Sequence, residues 1–465
     1  MSQTVDIPKR LPLVAAPGNR AEDTTKDGRL VNCYVEKLED GSGYRVYKRP
    51  GTTRSSQPSG GAATGRGVWN WSGNFYSLFG NTAYKGASSI GTIDTTNGVY
   101  KFAMTLGATP RLVMGNGIYG YTYDGTATFA QITDVDFPAA FVKGWAYLDG
   151  TTYVMKANAE VRGSDIEDPT SWALLNVIVA RIEPDPGVAL GKQLVYVIAF
   201  KQWTTEAFYD AANTTGSPLG TVQGAKVNKG CASADSVVDI GGALYFLAQN
   251  RESGVQVGCI NGLKYEDIST KPIERLLQTA DFTTVYAFGI AIDGHAFYVV
   301  TMKNSNLTLA YDIDEKMWAQ WTDASGNYFP FVSAATSTTG VTTLQHESDG
   351  YLYTMTATTY GDNGSPIVSD IYLPQFDAGT KRSKTLSAML FDADRVEGSV
   401  LKVRCNDGDY YTSQWTDFRE VDLGASVPML TDEGSFERRA YHFRHESLTP
   451  LGLKAVDLQI DIGTF

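Results

Sequence analysis

The chain has 465 residues, a formal net charge of −12, and a composition rich in Gly (47), Tyr (26) and Phe (20); it is long enough for two or three domains around a substantial core. Its acidity excludes a protein that wraps nucleic acid by neutralising phosphates, which needs an excess of Lys and Arg on the contacting face. Its best apolar runs, "WALLNVIVARI" (172–182) and "LVYVIAF" (194–200), fall far short of the roughly 20 residues of a membrane-spanning helix.

The first element is "GRLVNCYVEKLEDGSGYRVYKRPG" (28–51), which alternates apolar with charged residues around a glycine turn and ends at Pro50-Gly51. That pattern reads as two strands of a hairpin. Residues 1–55 hold too few large apolar side chains to fold alone, so they read as an extended arm. Val31, Tyr34, Tyr44, Val46 and Tyr47 must then bury against a surface elsewhere.

From about residue 65 one phrase recurs: an apolar strand, a Gly or Asn turn, then an aromatic strand. It appears at 67–86, 112–126, 144–158, 194–210, 236–269, 288–321 and 342–355. β-branched and aromatic residues suit a pleated, half-buried surface, while Gly, Asn and Asp accept turn dihedrals. A spacing of roughly 35 to 55 residues is that of four-stranded sheets in a propeller. The prediction is an all-β chain: a seven-bladed β-propeller over 56–375, an N-terminal arm and hairpin over 1–55, and a small C-terminal β module over 376–465. One helix is expected at "TKPIERLLQTA" (270–280), with Thr270 as cap, Pro272 in the first turn, and Ile273, Leu276 and Leu277 on one face.

Fragments that suggest catalysis have plainer readings. "GNGIYG" (115–120) has dinucleotide-binding spacing, but that fingerprint requires a following helix, and "YTYDGT" continues as strand and turn. His442 and His445 in "YHFRH" point to opposite faces of a strand, which reads as a surface strand pairing with something acidic. The pairs Asp312/Asp314, Asp392/Asp394 and Asp407/Asp409 sit at turns, where Asp closes the loop on its own backbone. Cys33, Cys231, Cys259 and Cys405 are far apart with no CxxC, so they read as free thiols of a protein made in a reducing cytoplasm. No catalytic, cofactor or metal residue is assigned.

At 162–219 the features "SDIEDPTSW", "PDPGV" and "TTEAFYDAANTTGSPL" resemble the packaged-DNA-stabilisation proteins of short-tailed bacteriophages, also called tail hub or nozzle proteins. The entry "RLVNCYVEKLEDGSGYRVYKRPGT" is similar to that family's N-x-Y-x-E … PG, and "IERLLQTAD" and "FERRAYHFRHESLTPLGLKAVDLQI" agree with it too. The resemblance implies a structural virion protein, not an enzyme: a hexameric ring in the tail, assembled in the infected bacterium's cytoplasm beneath the portal and adaptor. Such a ring retains packaged DNA and conducts it at ejection, without sequence-specific binding or a small-molecule substrate. The implied partners are further copies of the chain, the portal–adaptor complex, a tail fibre or spike, and a needle or plug. In that setting the arm either bridges subunits or closes its own propeller, and both readings stand. Lys381, Arg382, Lys384, Arg438, Arg439 and Arg444 are candidate assembly contacts. The alternative function is a propeller-type carbohydrate-binding or glycan-degrading tail protein.

Overall fold

A computed structural model describes residues 9–14, 28–39, 43–95, 98–408 and 415–463. Nearly every predicted alternating segment forms a strand, and the glycine turns between them carry positive φ, as at Gly73, Gly150 and Gly294. Six blades are each built from one continuous stretch of chain, as four-layer antiparallel sheets. Their innermost strands are Gly65–Trp71, Lys101–Met104, Ala146–Leu148, Gly187–Gln193, Val238–Ile240 with Gly230–Cys231, and Val285–Ile292.

The remaining sheet closes the ring and is composite. Phe331–Thr336, Thr342–His346 and Leu352–Thr356 are joined by Gly51–Ser56 from near the start of the chain, with the short strands Gly361–Asp362 and Ser365–Pro366 beyond it. The expectation of seven repeated blades is corrected accordingly: six are self-contained, and the last phrase, 342–355, supplies only the middle of a sheet that the N-terminal strand completes. Each sheet touches the next, and the composite sheet packs between blade 6 and blade 1. Such closure leaves no inter-blade edge open.

Small apolar clusters cement neighbouring blades. Tyr76, Leu78, Leu112 and Tyr121 lie between blades 1 and 2; Phe200, Phe246 and Ile260 lie between blades 4 and 5. The single α-helix among the described residues, Lys271–Gln278, precedes blade 6 with Pro272 in its first turn and buries Ile273 and Leu277. Thr270 makes no side-chain cap bond.

The arm is not extended away from the body. Outside the outer strand of blade 6, Met317–Gln320, lies Arg29–Val31, in parallel register, followed by Ser369–Tyr372, Ala440–His445, Val400–Asn406 and Arg419–Asp422. A second sheet runs Cys33–Lys37, Tyr44–Lys48, Gly452–Ile462, Lys384–Ala393 and Met429–Thr431. These two sheets share one core with blade 6 and the composite sheet, through Val35, Val46, Trp321, Phe331, Met389, Phe443 and Val456. The strands after 376 are therefore interleaved with the entry strands instead of standing apart. The hairpin's apolar side chains find their burial in their own chain, each worth roughly 1.5–3 kcal/mol when fully enclosed.

Candidate functional site: the clasp that closes the ring

The entry strands turn inward at Asn32, which sits fully buried at φ 53°, a left-handed conformation that Asn tolerates better than most residues. Its side-chain amide donates to Thr322 Oγ1 (2.7 Å) and to the Val368 carbonyl (2.8 Å). Its Oδ1 accepts from Thr322 N (2.8 Å) and Arg49 Nε (2.9 Å). Arg49 is itself fully buried and donates to the Pro50 and Thr322 carbonyls and to both oxygens of Asp362 (3.2 and 2.5 Å). Asp362 also accepts from the backbone and hydroxyl of Thr52. The Arg49 guanidinium lies over the Phe329 ring, 4.8 Å from its centroid. One arginine thus ties the entry strand, the end of blade 6 and the closing sheet together. Next to it Gly51 runs so close to Gly361 that a Cβ would sit 2.2 Å from the Gly361 carbonyl oxygen.

Two further side chains of the entry motif reach blade 6. Tyr34 stacks on Tyr47 and donates its hydroxyl to Asp293 (2.8 Å); burial, then the Asp293 carboxylate, push that hydroxyl's pKa up. Glu36 lies 3.5 Å from His295 Nε2, while His295 Nδ1 meets Asp312 Oδ2 at 2.8 Å. The Asp312 bond, outweighing burial, raises the imidazole to about 9. His295, Asp312 and Asp314 bring a ring nitrogen and two carboxylates within 4.8 Å of one another. Asp312 Oδ1 accepts from Asp314 N and Glu315 N, and Asp314 accepts from Ala296 N. The cluster is an ion pair that fastens the hairpin to the blade.

The predicted contact residues divide sharply. Tyr34 and Val46 are buried, Val31, Tyr44 and Tyr47 half-buried, all against their own chain. Lys384 is fully buried and donates to the carbonyls of Thr380, Arg382 and Glu437. Arg439 pairs with Asp407 (2.6 Å), and Arg444 with Asp370 (2.7 Å). Lys381, Arg382 and Arg438 are exposed. Asp394 pairs with Arg45 and Asp392 lies 3.7 Å from Lys454; Asp409 falls outside the described residues.

The strand with His442 and His445 is a central one, which corrects its reading as a surface strand. His442 stacks on Tyr372 (3.9 Å) and meets Asp370 (2.7 Å). His445 meets Ser399 Oγ (3.0 Å) and Lys48 Nζ (3.4 Å), and burial, helped by Lys48, lowers it to about 3.

Contacts also reach across the ring between blades that are not neighbours. A 3₁₀ turn, Ala234–Ser236, belongs to blade 5, yet Lys101 of blade 2 reaches the carbonyls of Asp235 and Val237 (3.0 and 3.1 Å). Lys143, leading into blade 3, pairs with the Asp235 carboxylate (2.7 Å). From blade 6, Tyr298 donates to the Ser236 carbonyl. Burial lowers Lys101 to about 8. Sequence reading missed Asn32, Arg49, Lys101 and His295; the entry stretch quoted above contains the first two, and nothing in the sequence marked the others.

A ring of antiparallel sheets closed by Gly51–Ser56, a strand from near the start of the chain, defines a β-propeller. Residues 29–360 match the family model described as Bacteriophage P22 Gp10, beta-propeller, and the chain belongs to that family. It is a bacteriophage structural protein, and the resemblance to packaged-DNA-stabilisation proteins is borne out. Comparison with curated protein sequences gives no match. Among solved structures, the chain is similar to a streptogramin B lyase (TM-score 0.40, 10% identity, covering 70% of this chain and 97% of that one). It is also similar to virginiamycin B lyase from Staphylococcus aureus with quinupristin (0.43, 8%, 66% and 98%). A third is the extracellular domain of a one-component system from B. thetaiotaomicron (0.40, 11%, 86% and 58%).

Proposed function

We propose that this chain forms the hexameric nozzle or hub of a short-tailed phage tail, below the portal and adaptor, retaining packaged DNA and conducting it at ejection. The observation that carries the reading beyond family membership is the set of contacts across the ring. Two lysines and a 3₁₀ turn span the centre of the propeller, so a duplex must travel between copies and not through one. A net charge of −12 suits a wall along which phosphates slide, because basic linings bind them. Its partners are then its own copies, the portal–adaptor complex, a fibre or spike, and a needle or plug; its place is the virion tail, and it has no catalytic role.

The glycan-binding alternative needs exposed aromatic platforms. Trp71, Trp145, Trp172 and Trp321 are instead buried, and Tyr209 is the one aromatic among the strongly exposed large apolar residues described. Electron microscopy of the purified protein, alone and with portal and adaptor, is the test. Six-fold rings seated on the portal complex are expected; a single-copy particle that degrades a host surface glycan overturns the reading.

A further inference from the structure

The chain has four histidines, and three of them meet groups that are not metal donors. His442 Nδ1 accepts from Arg404 Nε (2.8 Å), His445 lies between Ser399 and Lys48, and His346 Nδ1 accepts from the backbone of Ser348 and Asp349. Among the four, His295 alone meets a carboxylate at each ring nitrogen: Asp312 Oδ2 at Nδ1 and Glu36 Oε1 at Nε2.

Three segments converge there. His295 opens the strand His295–Met302, Asp312 ends Leu307–Asp312 beside it, and Glu36 comes from the entry strand Cys33–Lys37. One oxygen of Asp312 closes the turn, as the sequence suggests: Oδ1 accepts from Asp314 N and Glu315 N, which leaves Oδ2 facing the ring. His295 Nδ1 and Asp312 Oδ2 are 2.8 Å apart, and an oxygen of Asp314 lies within 4.8 Å of both. Metal bonds of about 2.0–2.2 Å to nitrogen and oxygen set neighbouring donors about 3 Å apart. The first two donors therefore need almost no movement, and the exposed Asp314 can swing in as the third. Glu36, Asp312 and Asp314 surround one imidazole with three carboxylates, while the charged residues next to them in the chain, Lys37, Asp293, Glu315 and Lys316, cancel.

We propose that His295 Nδ1, Asp312 Oδ2 and one carboxylate oxygen of Asp314 bind a divalent transition cation of the zinc class, with Glu36 holding the ring from its far side. One nitrogen and two oxygens suit that class, whereas magnesium and calcium prefer shells made wholly of oxygen. The cation enters between Nδ1 and Oδ2 in place of the imidazolium proton, which leaves to solvent. Nε2–H then donates to Glu36, the kind of carboxylate support that orients metal-bound histidines. Glu36 belongs to the hairpin and the three donors belong to blade 6, so the ion tightens the clasp; a cation that binds only the folded chain stabilises it. The site is independent of the nozzle reading and needs no ring.

The test uses the full-length chain, freed of metal by a chelator and dialysed. Calorimetric titration with zinc chloride is expected to saturate at one ion per chain and to raise the melting temperature by several degrees, with magnesium chloride at the same concentration giving no shift. Asp314→Asn keeps the His295–Asp312 pair and should melt like the unchanged metal-free chain, yet bind zinc more weakly by about tenfold or more; Glu36→Gln should weaken it about tenfold. His346→Gln, at the other histidine that is not fully buried, should leave binding unchanged. Cobalt(II) reports without any variant: the visible absorption of cobalt on the unchanged chain is expected to vanish when an equivalent of zinc is added. Zinc that never saturates, zinc that binds Asp314→Asn as tightly as the unchanged chain, binding lost in His346→Gln instead, or cobalt absorption that zinc does not displace overturns the site.

Discussion

Arg49 illustrates how one side chain holds distant parts of the chain. It is enclosed, and its partner Asp362 is only 16% exposed, so removing the guanidinium strands a carboxylate in a poorly solvated place. Breaking a buried pair from one side costs roughly 3–5 kcal/mol, and Arg49→Met is expected to lower the unfolding free energy extrapolated from urea denaturation by that much. Adding Asp362→Leu should recover only part, because the Pro50 and Thr322 carbonyls and Asn32 Oδ1 still lose their donor. Full recovery would show that the pair alone, and not the wider clasp, sets the stability. The histidines give the molecule opposed pH responses. His295, raised from 6.5 to about 9 by Asp312, stabilises the fold fully below pH 6.5, and that contribution, about 3 kcal/mol, is lost as pH rises through 9. His445, lowered to about 3 by burial, is accommodated neutral, so stability falls as pH drops from 6.5 towards 3. Melting temperature measured against pH should therefore flatten on the alkaline side in His295→Gln and on the acid side in His445→Gln.

At the scale of elements, the closing strand Gly51–Ser56 is the one the ring depends on. Gly51→Ala puts a methyl against backbone that no rotamer change can move. It is expected to lower the melting temperature by many degrees, while Gly60→Ala, whose Cβ position is open though its φ is positive, should cost about 1 kcal/mol. Deleting residues 1–56 should give aggregated protein, because it removes an interior strand of the composite sheet and both clasp strands; a soluble, cooperatively melting truncation would refute that dependence. The blades themselves were legible in the sequence, since alternation and glycine turns are local signals. The destination of the entry strands was not. Arg29–Val31 pairs with Asp370 to Tyr372 and Val46 with Leu453, and alternation identifies a strand without naming its neighbour. The basic residues misled for a related reason: charge is visible in sequence, but Lys384 and Arg439 are enclosed by carbonyls and a carboxylate that only the fold brings to them.

At the scale of the whole molecule, contacts between non-adjacent blades brace the ring. Lys101 and Lys143 converge on one turn from different blades, so they act as struts across the ring. A buried ammonium held by two carbonyls is stabilised only as long as those bonds persist, and leaving buried acceptors unpaired costs about 1–3 kcal/mol each. Lys101→Met combined with Lys143→Met is thus expected to lower the melting temperature of the purified protein by several degrees. If DNA travels between copies, phage carrying the same pair of changes should still assemble, retain genome under mild heating, and eject it at the unchanged rate, measured by dye release after receptor addition. Stable, normally assembled particles whose ejection rate shifts would instead place the axis of the single propeller on the DNA path, and the nozzle wall would have to be redrawn through it.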